Sequence, residues 1–102
     1  MERRMRMPAY IIALEVIHDR DEFDKYRAGV HDVLKTYQGE IIVSNEDFEV
    51  IEGNWPYTKT VVIRFPSIEQ AKCWYESHEY QEVVQHRFKA AKTDLILIDG
   101  RA

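Results

Sequence analysis

The chain has 102 residues, 45% of them hydrophobic and 31% charged, which suits one globular domain with one core. Its net charge of −4 argues against a nucleic-acid-binding surface, and the apolar runs Ile11 to Leu14 and Leu95 to Ile98 are too short to cross a bilayer. The lone Cys73 allows no internal disulfide, so the expected compartment is the cytoplasm.

The cluster Arg3-Arg4-Arg6 reads as a disordered basic leader over residues 1–6, ahead of a single domain over residues 7–102. Tyr10 to Ile17 is mostly apolar and reads as a strand, its inward positions taken as apolar. Asp19 followed three positions on by Glu22 forms a capping box that opens a helix. Phe23, Tyr26, Val30, Val33, Leu34 and Tyr37 recur at three- and four-residue spacing, one apolar stripe of that helix. Gly39 is the expected left-handed stop. Ile41 to Val43 and Phe48 to Ile51 read as a hairpin around Ser44-Asn45-Glu46-Asp47, and Gly53-Asn54 with Pro56 as a loop.

Lys59 to Phe65 is the next strand, and Ser67 with Gln70 a second capping box. The helix that follows turns Ile68, Ala71, Trp74 and Tyr75 inward, is re-capped at Ser77, and continues a stripe through Tyr80, Val83, Val84, Arg87, Phe88 and Ala91. Asp94 to Ile98 is the last strand. The order β-α-β-β-α-β is the ferredoxin-like pattern of an α+β fold with an antiparallel sheet. A one-sided sheet alternates apolar with polar residues, yet Tyr10, Ile12, Leu14 and Val16 oppose Ala9, Ile11, Ala13 and Ile17 on strand one. Two helices cover one face only, so the other predicts a homodimer joined through its sheet faces.

With the elements placed, Met7-Pro8-Ala9-Tyr10, Tyr26-Arg27, Glu52-Gly53-Asn54-Trp55-Pro56, Phe65-Pro66-Ser67, Trp74-Tyr75, Ser77 and Glu79-Tyr80-Gln81 resemble domain-of-unknown-function family 1330. The resemblance covers Met7 to Gly100 and implies a dimeric α+β barrel with no settled activity. The chain departs from the family pattern at Asn54, where Asp is usual, at Tyr57, where a second Pro is common, and at His78, where Ser-Pro-Glu-Tyr is typical.

Candidate site residues follow from position. Arg87 lies at the centre of an apolar stripe, where a guanidinium requires a partner; Glu15, Glu52, a backbone carbonyl or a ligand acid would each serve. Arg27 flanks the stripe of the first helix, where it binds or snorkels. Tyr26, Trp55 and Trp74 are expected at a pocket between sheet and helices or, for the two helical aromatics, in the core. His78, Glu82 and His86 at four-residue spacing place the outer pair about 12 Å apart along the axis, too far for one ion to take all three, so no metal and no cofactor are expected. Two functions remain open at this level. One is a homodimeric small-molecule-binding protein for an anionic or aromatic ligand, extending to a cofactor-independent enzyme of monooxygenase or isomerase type. The other is a non-enzymatic dimerisation or ligand-sensing module.

Overall fold

The computed structural model describes residues 7–100; the basic leader lies outside the described residues. The elements are β1 (Ala9–Ile17), α1 (Arg20–Thr36), β2 (Glu40–Asn45), β3 (Lys59–Phe65), α2 (Ile68–Glu76), α3 (His78–Ala90) and β4 (Ala91–Asp99). The four strands form one antiparallel sheet in the order β2-β3-β1-β4. This is the ferredoxin-like α+β fold that the element order predicts.

Side-chain oxygens set the helix starts. Asp19 accepts from the Glu22 amide, Ser67 from the Gln70 amide, and Ser77 from the Tyr80 amide. Ser77 also donates to the Trp74 carbonyl at 2.8 Å, so one residue closes α2 and opens α3 and turns the chain between them. Helices α1 and α3 pack closely at Gly29, where an added Cβ would meet Val83 Cγ2 at 3.2 Å.

Three local expectations are corrected. The left-handed residue after α1 is Gln38, with φ 63°, not Gly39. Gly39 serves close packing instead: a Cβ there would lie 2.6 Å from Leu34 Cδ2 and 2.7 Å from Phe65 Cε1. The expected hairpin is a single strand, because β2 extends through Asn45 and pairs with β3. Residues 46–58, including Phe48 to Ile51, form no strand, so β2 remains an edge of the sheet. Phe88 is exposed rather than part of the α3 stripe, and Ala91 already belongs to β4.

The sheet is covered on one side. Ala9, Ile11, Ala13 and Glu15 of β1 are buried under the helices, while Tyr10, Ile12, Leu14 and Val16 on the opposite face are half-buried. Ile96 and Ile98 of β4 lie on that same face, opposite Ile12 and Tyr10 in the strand register, and both are exposed. The smallest extent of the molecule, 16 Å, matches one layer of strands and one of helices. No helix among the described residues is long and apolar enough to cross a membrane.

Candidate functional site

Between the sheet and the helices lies a cavity of about 320 Å³, at the small end of the range for ligand pockets. Its apolar wall comes from Phe23, Tyr26, Val30 and Leu34 of α1, Ile41 of β2, Val61 and Ile63 of β3, and Trp74 of α2. Aromatic rings meet edge to face or tilted around it: Phe23 with Tyr26 at 5.7 Å, Tyr26 with Tyr80 at 6.2 Å, and Trp74 with Tyr80 at 4.0 Å between centroids. The amphipathic stripes of α1, α2 and α3 deliver these rings to one place.

Charge is concentrated at one end. Glu15, Lys59 and Arg87 are 2%, 8% and 4% exposed, and all three line the cavity. Glu15 faces Lys59 on β3 and Thr93 on β4 in the strand register, and its Oε2 accepts from the Thr93 hydroxyl at 3.2 Å. The Lys59 ammonium lies over the Phe23 ring at 5.7 Å. The Arg87 guanidinium lies over the Tyr26 ring at 5.6 Å and the Phe88 ring at 5.4 Å. It donates from Nη2 to the Tyr80 hydroxyl at 3.4 Å, and that hydroxyl pairs with the Tyr26 hydroxyl at 2.8 Å.

Among the described residues, Arg87 makes no ion pair. Glu15 is its charged neighbour without being a direct partner, and Glu52 is exposed on the long β2–β3 connection. Three fully buried polar atoms, Glu15 Oε1, Trp74 Nε1 and Arg87 Nε, have no hydrogen-bond partner among the described residues. All three side chains line the cavity. An unserved buried donor or acceptor costs about 1–3 kcal/mol, so such atoms are ordinarily served by water or a ligand.

Burial pushes the Glu15 carboxyl above its ordinary range, with Arg87, the Thr93 hydrogen bond and Lys59 drawing it part of the way back. Burial likewise raises the Tyr80 hydroxyl, and it raises that of Tyr26 well above the ordinary phenol value. Both phenols are therefore proton-bearing hydrogen-bonding groups near neutral pH. The cavity holds two buried cations against one carboxyl that resists ionisation, a balance that favours an acidic guest.

Four of the five candidate residues, Tyr26, Arg27, Trp74 and Arg87, line this one cavity. Arg27 does so from an exposed position, with an ion pair to Asp24 at 3.5 Å. Trp55 does not join them. It is 42% exposed on the β2–β3 connection and packs on Phe48 and Tyr57, with ring centroids 6.4 Å and 6.0 Å away. His78 pairs with Glu82 at 3.3 Å on an exposed face, whereas His86 turns to Glu22 of α1 at 2.6 Å.

Sequence reasoning missed Lys59 and Tyr80, and treated Glu15 only as a counter-ion on a strand whose inward positions read as apolar. The signal was present: Glu15 shares the parity of Ala9, Ile11 and Ala13, so the strand period points it inward.

The covered sheet and its internal cavity define a ferredoxin-like α+β domain with a single helical layer. The chain belongs to the family described as domain of unknown function (DUF1330), whose model matches residues 8–101. No curated protein matches the sequence. Among solved structures, the chain is similar to the RPA0582 protein of unknown function from Rhodopseudomonas palustris, with 14% identity, a TM-score of 0.80, and coverage of 96% of this chain and 85% of that one. It is similar to SnoaB, a cofactor-independent oxygenase from Streptomyces nogalater, with 10% identity, a TM-score of 0.65, and coverage of 96% of each chain. A dimeric protein of unknown function and ferredoxin-like fold from Bacteroides fragilis is 9% identical, with a TM-score of 0.60 and coverage of 93% and 96% of the two chains. At these identities the likeness shows the fold.

Proposed function

We propose that this protein is a homodimer that binds a small carboxylic acid with an aromatic or apolar body in the cavity between sheet and helices. The observation that carries the reading is the set of buried, unpartnered polar atoms on Glu15, Trp74 and Arg87 around one aromatic-walled cavity. Lys59 and Arg87 supply the attraction for the acid, and the planar guanidinium of Arg87 suits two-point contact with a carboxylate. Phe23, Tyr26 and Trp74 supply the wall for the body of the ligand. The uncovered apolar face of the sheet supports the homodimer, as does the description of the Bacteroides fragilis protein as dimeric.

Thermal-shift measurement with aromatic acids and their uncharged amides tests the reading. The acids are expected to raise the melting temperature and the amides to have no effect, and Arg87→Ala should abolish the response. Arg87→Lys, which keeps the charge but not the two-point geometry, should retain part of it. Binding that survives unchanged in both variants sinks the role of Arg87.

A second reading, cofactor-independent catalysis in the same cavity, is favoured by one feature. Glu15 is a buried carboxyl held above its ordinary range with an unpartnered oxygen, the environment from which a general base works. SnoaB is described as a cofactor-independent oxygenase. In this reading Glu15 takes a proton from the bound acid's reactive carbon or hydroxyl, while the Tyr26 hydroxyl, backed by Tyr80, donates a hydrogen bond. Turnover of a bound compound that persists in Glu15→Gln would rule it out.

A further inference from the structure

A second concavity, of about 460 Å³, lies on the far side of Arg87, between α2, α3 and the outer strand β4. Its walls include Ile11, Tyr75, Phe88 and Leu97, with Lys72 and Glu76 at the rim. Arg87 and Leu95 line both this cleft and the inner cavity. The guanidinium is held between an aromatic ring on each side, Tyr26 towards the cavity and Phe88 towards the cleft, at 5.6 Å and 5.4 Å. Trp74 and Tyr75, adjacent on α2, divide in the same way, one lining the cavity and the other the cleft. Thr93 lines the cleft and bonds Glu15, which lines the cavity.

We infer that cavity and cleft are two lobes of one ligand site with Arg87 at its waist. The site would take a branched acid whose carboxylate sits between an aromatic group and an apolar chain. This rests on the acid-binding reading of the inner cavity. The carboxylate meets Arg87, the aromatic group lies among Phe23, Tyr26 and Trp74, and the chain passes Leu95 into the cleft against Ile11, Tyr75 and Leu97. The arrangement accounts for Phe88, which is 53% exposed yet covers the guanidinium and walls the cleft. It also accounts for the placement of a buried cation at the one polar position common to both spaces, where an acid with substituents on both sides can reach it.

The test is calorimetric titration of the full chain with phenylacetate, 2-phenylbutanoate and 2-phenylhexanoate. Affinity should rise roughly fourfold per methylene until the cleft is filled. Leu97→Trp, which fills the cleft, should flatten the series, so that 2-phenylhexanoate binds no more tightly than phenylacetate. Phe88→Ala, at an exposed position, should weaken the longer acids more than phenylacetate. If phenylacetate binds in an Arg87-dependent way but chain length has no effect, or its effect survives in both variants, the two-lobed site is wrong and the inner acid site stands. Sedimentation of Leu97→Trp that shows a changed oligomeric state would assign the cleft to a second copy of the chain and overturn the proposal. If none of the acids binds, the acid-site reading falls and this one falls with it.

Discussion

Glu15 carries a conflict that most buried residues avoid. Its backbone serves the sheet and its carbonyl accepts from the Thr58 amide at 2.9 Å, yet its carboxyl is buried with one oxygen unpartnered. Burial raises its pKa, and Arg87 and Lys59 only partly reverse that. A raised acid favours the folded state in its protonated form, so this contribution is fully present below its ordinary value near 4.5 and is lost as pH rises through the raised value. Glu15→Gln removes the titration. Its stability relative to the wild type is therefore expected to improve between pH 4 and pH 8, as read by urea denaturation at the two values. A constant difference across that range would show that Glu15 has the same affinity for its proton folded and unfolded. By the same logic an acidic ligand, which adds negative charge beside Glu15, should bind more tightly as pH falls towards the carboxylate range.

At the level of elements, Ser77 shapes the cavity without lining it. Its hydroxyl caps α3 and closes α2, and the residues fixed by those bonds, Trp74 and Tyr80, are both fully buried, their tilted rings 4.0 Å apart between centroids. Ser77→Ala is expected to cost about 0.5–2 kcal/mol, the range for a lost N-cap, measured by chemical denaturation. It should also weaken acid binding, because the angle between α2 and α3 places Trp74 at the cavity wall and Arg87 at its waist. A loss of stability with unchanged binding would separate the cap from the site. The β2–β3 connection behaves differently. Phe48, Trp55 and Tyr57 form an edge-to-face string on it, and Tyr57 donates to Asp94 of β4. These contacts place Trp55 beside the open face of the sheet rather than in the cavity. The loop character that recommended Trp55 as a binding residue is also what carries it away.

For the whole molecule, the decisive feature is a sheet with helices on one side only. The open face presents Ile12, Leu14, Val62, Ile96 and Ile98 in neighbouring register positions, an apolar patch of the kind that marks an interface. Sedimentation at micromolar concentration is expected to show a dimer, and Ile96→Asp should shift it towards monomer, because a carboxylate buried in an apolar interface lacks a partner. A wild-type monomer at that concentration would remove the homodimer from the proposed function.

What the sequence determined by itself rests on local rules. The caps at Asp19, Ser67 and Ser77, the strand Lys59–Phe65 and the inward stripes of the helices rest on short-range hydrogen bonds and periodicity, and the element order restricts the topology to few choices. The two apolar parities of β1 were legible for the same reason. Tertiary structure decided the matters that depend on distant partners. Gly39 is required by Leu34 and Phe65, and Phe48 to Ile51 runs as a connection whose Phe48 packs on Trp55 instead of pairing with β2. Arg87 gains a tyrosine pair and two aromatic rings instead of a carboxylate, and Glu15 and Lys59 line the cavity because the β1–β3 register sets them side by side. A cavity is the space left between residues far apart in the chain, so its walls and its waist at Arg87 exist only once the helices have docked on the sheet.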